Sequence, residues 1–220
     1  MQMRMARVTR RPIKARETKW ARAAAVWLTR MGVRPNLISG SSVTFAAVAG
    51  ACMILGSRLG LTWHVALLLA AAALIQLRLL CNLLDGLVAV EGGLKTRSGE
   101  IFNDLPDRLS DAITLVAAGY SIAWVGWGTH LGWAAALLAV ITAYVRVLGG
   151  AAGAEQYFCG PMAKQQRMVA ITAACLIAAL EAALGWKGYA MTAALGIVAI
   201  GCFVTIVRRT CLVVRELESR

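Results

Sequence analysis

The chain has 220 residues, of which 59% are hydrophobic, and its mean hydropathy is +0.67. This composition excludes an ordinary soluble domain and is typical of integral membrane proteins. The net charge of +12 does not indicate a nucleic-acid-binding protein, because the basic residues are concentrated near the chain ends and in linkers between apolar segments. We expect instead a basic surface in contact with lipid headgroups, and no nucleic-acid partner.

The first 34 residues form a basic segment, and residues 14–32 mix Lys and Arg with Trp20 and Trp27. This pattern predicts an amphipathic helix in the membrane interface, and the alternative is a polar tail. Six apolar segments follow, each near the roughly 20 residues that a helix needs to cross a bilayer. They cover residues 35–57, 61–84, 100–127, 131–153, 163–184 and 188–212. We therefore predict an all-α fold, with an interfacial helix within residues 1–34 and a six-helix transmembrane domain over residues 35–220.

The distribution of positive charge predicts the orientation of these segments. Lys and Arg are frequent near both chain ends and near the linkers after the second and fourth segments. The other linkers carry only Arg58 and Lys187. Because basic loops stay in the cytoplasm, we predict a cytoplasmic (inner) membrane protein with both termini and both basic linkers on the cytoplasmic side.

Two polar clusters interrupt the apolar chain, one at the end of the second segment and one at the start of the third. Asn82 and Asp85 are three residues apart, and Asn103 and Asp107 are four apart, so each pair shares one helix face. Their oxygens suit Mg²⁺ or Mn²⁺, ions that commonly act on phosphate substrates. The residues alone predict metal-dependent phosphoryl transfer at the cytoplasmic membrane surface, although an ion transporter also buries Asp beside Arg.

Four basic residues accompany these clusters. Arg78 lies one turn before Asn82, Arg146 ends the fourth segment, and Lys164 and Arg167 begin the fifth. Such cations suit a substrate that carries phosphates. The alternatives are that Arg78 extends to the lipid headgroups and that the other three are cytoplasmic anchors.

The spacing from Asn82 to Asp107 resembles the signature of the CDP-alcohol phosphatidyltransferase family, D-x2-D-G-x2-A-R-x8-G-x3-D-x3-D. This chain has N-x2-D-G-x2-A-V-x8-G-x3-N-x3-D. The retained positions are Asp85, Gly86, Ala89, Gly99 and Asp107. The chain departs from the signature at Asn82 and Asn103, where the family has Asp, and at Val90, where it has Arg.

The resemblance implies a homodimeric enzyme of phospholipid biosynthesis with six spans and an amphipathic N-terminal helix. It would transfer a phosphatidyl group from a CDP-linked lipid, such as CDP-diacylglycerol, to an alcohol and release CMP. One or two Mg²⁺ or Mn²⁺ ions would be held by Asn82, Asp85, Asn103 and Asp107, with Asp107 also the catalytic base. Nucleotide contacts would come from Gly86, Ala89 and Gly99, and phosphate contacts from Arg146, Lys164 and Arg167.

The two Asn positions leave other hypotheses open. Asn keeps an oxygen ligand but has no charge, so this site has two fewer negative charges than the family pattern. One alternative is a catalytically weak or silent relative that binds a lipid or a partner. Another is a transporter that uses Arg78 and the acids as an ion path. The sequence does not identify the alcohol acceptor.

Overall fold

The computed structural model describes residues 18–93 and 98–219, and within these ranges it contains seven helices and no strand. The N-terminal part of the predicted basic segment lies outside the described residues. The helices are α1 (Lys19–Arg30), α2 (Pro35–Gly56), α3 (Leu61–Glu91), α4 (Gly99–Tyr120), α5 (Gly128–Ala151), α6 (Lys164–Ala183) and α7 (Tyr189–Glu218). The all-α prediction is confirmed.

Five of the helices in the described ranges, α2, α3, α5, α6 and α7, are long and apolar enough to cross a membrane. The sixth predicted span corresponds to α4, whose 22 residues are sufficient in length. Its first half is too polar to meet the same composition, because it carries Asp104, Asp107, Arg108 and Asp111. Five spans are therefore supported by composition. The sixth span, α4, carries one of the predicted polar clusters and stays a prediction.

Three predicted boundaries differ from the structure by six or more residues. Helix α3 continues beyond residue 84 to Glu91, and α7 continues beyond residue 212 to Glu218. A helix keeps its internal hydrogen bonds where it leaves the bilayer, so the end of an apolar run does not end the helix. Helix α4 stops at Tyr120 rather than at 127, since the chain turns there to enter α5.

The bundle core is built largely from alanine side chains and close helix crossings. Helix α2 packs against α3 and α4, α5 packs against α4 and α7, and α6 packs against α3 and α7. At the crossing of α4 and α5, a Cβ atom added to Gly132 would lie 2.7 Å from the Cα of Gly119. Small residues permit this backbone approach, as is common between helices in membranes.

Helix α1 lies on the C-terminal half of α3. Ala21 and Ala25 are buried in one cluster with Leu87 and Val88 of α3. Both tryptophans of this helix are exposed, Trp20 by 55% and Trp27 by 60%. A helix with alanines packed on the protein and tryptophans directed outward suits the membrane interface. The interfacial position of α1 stays a prediction.

Candidate metal and phosphate site

The two predicted polar clusters lie on α3 and α4, which make few direct contacts with each other. Side chains rather than helix packing connect them. The guanidinium of Arg78 donates to the Asp107 carbonyl oxygen at 3.3 Å and to Asp111 Oδ1 at 2.5 Å. The polar faces are thereby held at one end of the bundle, next to the start of α6.

Asp85 is a buried carboxylate on α3, only 3% exposed. Its Oδ2 accepts a hydrogen bond from Ser39 Oγ of α2 at 2.7 Å. Its Oδ1 is buried and has no hydrogen-bond partner among the described residues. A buried carboxylate oxygen without a partner is costly, so its position favours a ligand at this point.

Asp107 repeats this arrangement on α4. The residue is 8% exposed, and its Oδ2 forms an ion pair with Lys164 Nζ at the start of α6. Its Oδ1 is also buried and unpartnered in the part of the chain that the structure describes. Asp107 and Lys164 both lie within electrostatic range of Asp85. Each of the two acids thus has one oxygen occupied by the protein and one available.

Asn82 and Asn103 are half-buried on the same two helices. The Asn82 Nδ2 is buried without a hydrogen-bond partner in residues 18–93 and 98–219. An amide can turn about its last bond, so either its oxygen or its nitrogen can face this position. The amide therefore offers a neutral oxygen beside the acids.

This donor set fits a hard divalent ion but is poor in charge. Within the described ranges, no three His, Cys, Asp or Glu side chains cluster closely enough to hold a metal. The candidate ligands are instead two carboxylates and two amides, Asp85, Asp107, Asn82 and Asn103. Oxygen ligands of this kind suit Mg²⁺ or Mn²⁺.

Asp111 lies one turn beyond Asp107 and is the centre of a buried charge cluster that joins α3, α4 and α6. Its Oδ1 accepts from Arg78, and its Oδ2 accepts from Arg167 at 2.5 Å. The two arginines are 0% and 2% exposed. The alternative that Arg78 extends to the headgroups is therefore wrong. Both guanidinium groups are already engaged, which favours a structural role over the predicted phosphate contact.

Arg146 of α5 and the linker between α5 and α6 border the other side of the site. Arg146 donates to both carboxylate oxygens of Asp104 at 3.0 Å, and its guanidinium lies 5.1 Å from the centre of the Phe158 ring. The same linker is fixed to α7, because the Tyr157 hydroxyl donates to Glu216 Oε2 at 3.0 Å. This hydrogen bond raises the pKa of Tyr157, since the carboxylate stabilises the protonated phenol.

The predicted nucleotide contacts lie at the end of α3 and at the start of α4. Gly86 and Ala89 are partly exposed on the C-terminal turns of α3, and Gly99 is the first residue of α4. The linker that joins these helices includes residues 94–97, which lie outside the described ranges. The nucleotide role of the three residues stays a prediction.

The candidate site residues predicted from the sequence did not include Ser39, Asp104 or Asp111. Ser39 of α2 is the hydrogen-bond partner of Asp85. Asp111 continues the helix face of Asn103 and Asp107, which was the available signal. Its two arginine partners come from helices distant in sequence, and no local pattern indicates such contacts.

The sequence matches no protein-family model and no curated protein sequence. Solved structures of phosphatidylinositol phosphate synthase from Mycobacterium tuberculosis share its fold. The structure with manganese and citrate has a TM-score of 0.74 at 19% identity and covers 88% of each chain. The structure with CDP-DAG bound has a TM-score of 0.73 at 20% identity and covers 92% of this chain and 95% of the other. An apo structure of the same enzyme has a TM-score of 0.68 at 19% identity.

Proposed function

We propose that the protein is a CDP-alcohol phosphatidyltransferase, which transfers a phosphatidyl group from a CDP-linked lipid to an alcohol and releases CMP. One observation carries this proposal. Two buried carboxylates on adjacent helices, Asp85 and Asp107, each retain an unpartnered oxygen beside the Lys164 cation. This arrangement suits a metal-bound diphosphate, and its two carboxylates lie within the spaced signature noted above.

The shared fold supports the same proposal. The similar enzyme was solved with manganese in one structure and with CDP-DAG in another. We propose CDP-diacylglycerol as the donor here and one or two Mg²⁺ or Mn²⁺ ions as the cofactor. Asp85 and Asp107, with the Asn82 and Asn103 amides, would hold the metal. When bound, such an ion neutralises charge that develops on the leaving phosphate.

The reaction needs a base for the alcohol and cations for the phosphates. In the proposed mechanism, the alcohol oxygen attacks the phosphorus that carries diacylglycerol, and the bond from this phosphorus to the CMP oxygen breaks. The alcohol proton moves to an unused lone pair of the Asp107 carboxylate, while the Lys164 ammonium stays beside this residue and contacts the donor diphosphate. Proton removal increases the nucleophilicity of the alcohol, and CMP leaves with the electron pair of the broken bond.

The basic residues divide into two groups in this proposal. Lys164 and Arg146 are the candidate phosphate contacts, because their side chains retain 20% and 16% exposure. Arg78 and Arg167 hold α3 and α6 against Asp111 and so position Asp107 and Lys164. The buried pair acts on the geometry of the site rather than on the substrate.

A screen with purified protein tests this function. We expect that CDP-diacylglycerol, Mn²⁺ and a mixture of polar alcohols, including phosphorylated ones, give CMP and one new phospholipid by mass spectrometry. The new lipid identifies the acceptor. Glu218→Gln removes one negative charge at an exposed position at the end of α7. This control variant is expected to release CMP at the rate of the original protein. Binding of CDP-diacylglycerol without CMP release from any mixture contradicts the proposal and favours the silent relative.

A further inference from the structure

The partners of the two carboxylates favour one metal ion over two at the candidate site. Ser39 occupies Asp85 Oδ2, and Lys164 occupies Asp107 Oδ2. Each acid therefore offers one remaining oxygen, and the two oxygens are buried and unpartnered among the described residues. Paired metal sites hold ions roughly 4 Å apart with shared ligands. One free oxygen from each acid suits a single shared ion.

The charge balance leads to the same result. Two carboxylates supply two negative charges, which one divalent ion neutralises. A second divalent ion would add two positive charges beside the existing Lys164 ammonium, in surroundings where Asp85 and Asp107 are more than nine-tenths buried. Uncompensated charge is costly in a poorly solvated site. The amides at Asn82 and Asn103 supply oxygens but no charge to offset it.

We propose that this site holds one divalent ion and that the Lys164 ammonium takes the place of a second. This inference rests on the proposed function and specifies its cofactor. Asp85 and Asp107 would hold the single ion, and Lys164 contributes a cation at Asp107 Oδ2. Lysine binds phosphate as a compact point charge, so the ammonium can contact the donor diphosphate as an ion would.

The surroundings of Lys164 fix it in this place. It is the first residue of α6, and Arg167, one turn later, is fastened to Asp111 by two hydrogen bonds. Arg167 also donates to the Met162 carbonyl at 3.0 Å, which anchors the chain just before α6. The first turn of α6 is therefore rigidly attached to α4, and this positions the ammonium beside Asp107.

Mn²⁺ binding measured by electron paramagnetic resonance tests the inference without an activity assay. The original protein in detergent is expected to bind one Mn²⁺ per chain, with a spectrum free of spin coupling between ions. The triple variant Asn82→Asp, Asn103→Asp, Lys164→Met restores the acids and removes the ammonium. It is expected to bind two Mn²⁺ ions with a spin-coupled spectrum.

Single variants separate the roles of charge and geometry. Lys164→Met is expected to bind its one Mn²⁺ roughly tenfold more tightly, because a nearby positive charge is removed. Lys164→Arg keeps the cation and is expected to retain the original affinity. The matched control is Lys187→Met, since Lys187 lies in the linker at the opposite end of α6. We expect this variant to bind Mn²⁺ with the affinity of the original protein.

Two spin-coupled Mn²⁺ ions in the original protein would overturn the inference, as would unchanged Mn²⁺ affinity in Lys164→Met. These results are distinguishable from failure of the proposed function. Two bound ions together with CMP release refute only the role of Lys164. One bound ion without CMP release in any acceptor mixture supports the inference on metal number and refutes the transferase.

Discussion

At the scale of single residues, Asp111 explains how three strongly polar side chains are accommodated inside an apolar bundle. Arg78 and Arg167 approach opposite oxygens of this carboxylate, and all three residues are at most 2% exposed. Removal of one partner from a buried ion cluster leaves charge without compensation. Because Arg78 and Arg167 are both paired with Asp111, neither guanidinium is free to bind substrate.

Replacement of Asp111 by Asn leaves two guanidinium ions buried without a counter-charge. We expect Asp111→Asn to lower the free energy of unfolding by about 3 to 5 kcal/mol. SDS titration in mixed micelles, followed by tryptophan fluorescence, measures this change. Asp104→Asn is the control, because the Asp104 side chain is 38% exposed, and we expect a loss of about 1 kcal/mol or less. Equal losses in both variants would contradict the structural role of Asp111.

At the scale of helices, the position of the acids depends on how α4 crosses its neighbours. Gly50 of α2 approaches Ala117 of α4, and Gly132 of α5 approaches Gly119 of α4. These contacts fix the depth and rotation of α4, and therefore the direction in which Asp107 faces. Close crossings of small residues stabilise membrane helices through packing.

A methyl group at the α4–α5 crossing tests this packing. Gly132→Ala places a Cβ against backbone atoms that cannot move independently, so we expect a loss of about 1 to 3 kcal/mol in unfolding free energy. The matched control is Gly196→Ala in α7, where no heavy atom lies within 4 Å of an added Cβ, and we expect a change within about 0.5 kcal/mol. SDS titration compares the two variants. An unchanged unfolding free energy in Gly132→Ala would contradict the close crossing of α4 and α5 at this residue.

Helix existence and the residues of each polar face were predictable from the sequence, because apolar runs and three- or four-residue spacing are local signals. The predicted metal ligands lie on α3 and α4 as expected, while their roles remain predictions. The partners of those ligands were not predictable. Lys164 was identified as a substrate contact, and its ion pair with Asp107 depends on the packing of α6 against α3, which no local pattern reveals.

At the scale of the whole molecule, charge distribution and fold together define a direction across the membrane. The candidate site lies at the end of the bundle where α3 ends and α4 and α6 begin. Apart from Arg58 and Lys187, the Lys and Arg residues of the transmembrane segments lie in or near the linkers at that end. We therefore keep the prediction that this end and both termini face the cytoplasm. The homodimer implied by the family resemblance likewise stays a prediction.

Reporter fusions test the orientation. A green fluorescent protein fused after residue 220 is expected to fluoresce in a bacterial host, and alkaline phosphatase at the same position is expected to be inactive. Both reporters fused in the linker between α6 and α7, near Lys187, should give the opposite result. A C-terminal phosphatase with full activity would contradict the predicted orientation and place the candidate site outside the cytoplasm.

In the proposed reaction, Asp107, supported by a divalent ion, accepts the proton of the alcohol during phosphatidyl transfer. The most direct measurement is the rate of CMP release from CDP-diacylglycerol with the acceptor found in the screen, for the original protein and for Asp107→Asn. We expect release by the original protein that stops with EDTA and returns with Mn²⁺, and a loss of at least about 100-fold in the variant. CMP release by Asp107→Asn at the rate of the original protein would contradict the proposed role of Asp107 as the catalytic base.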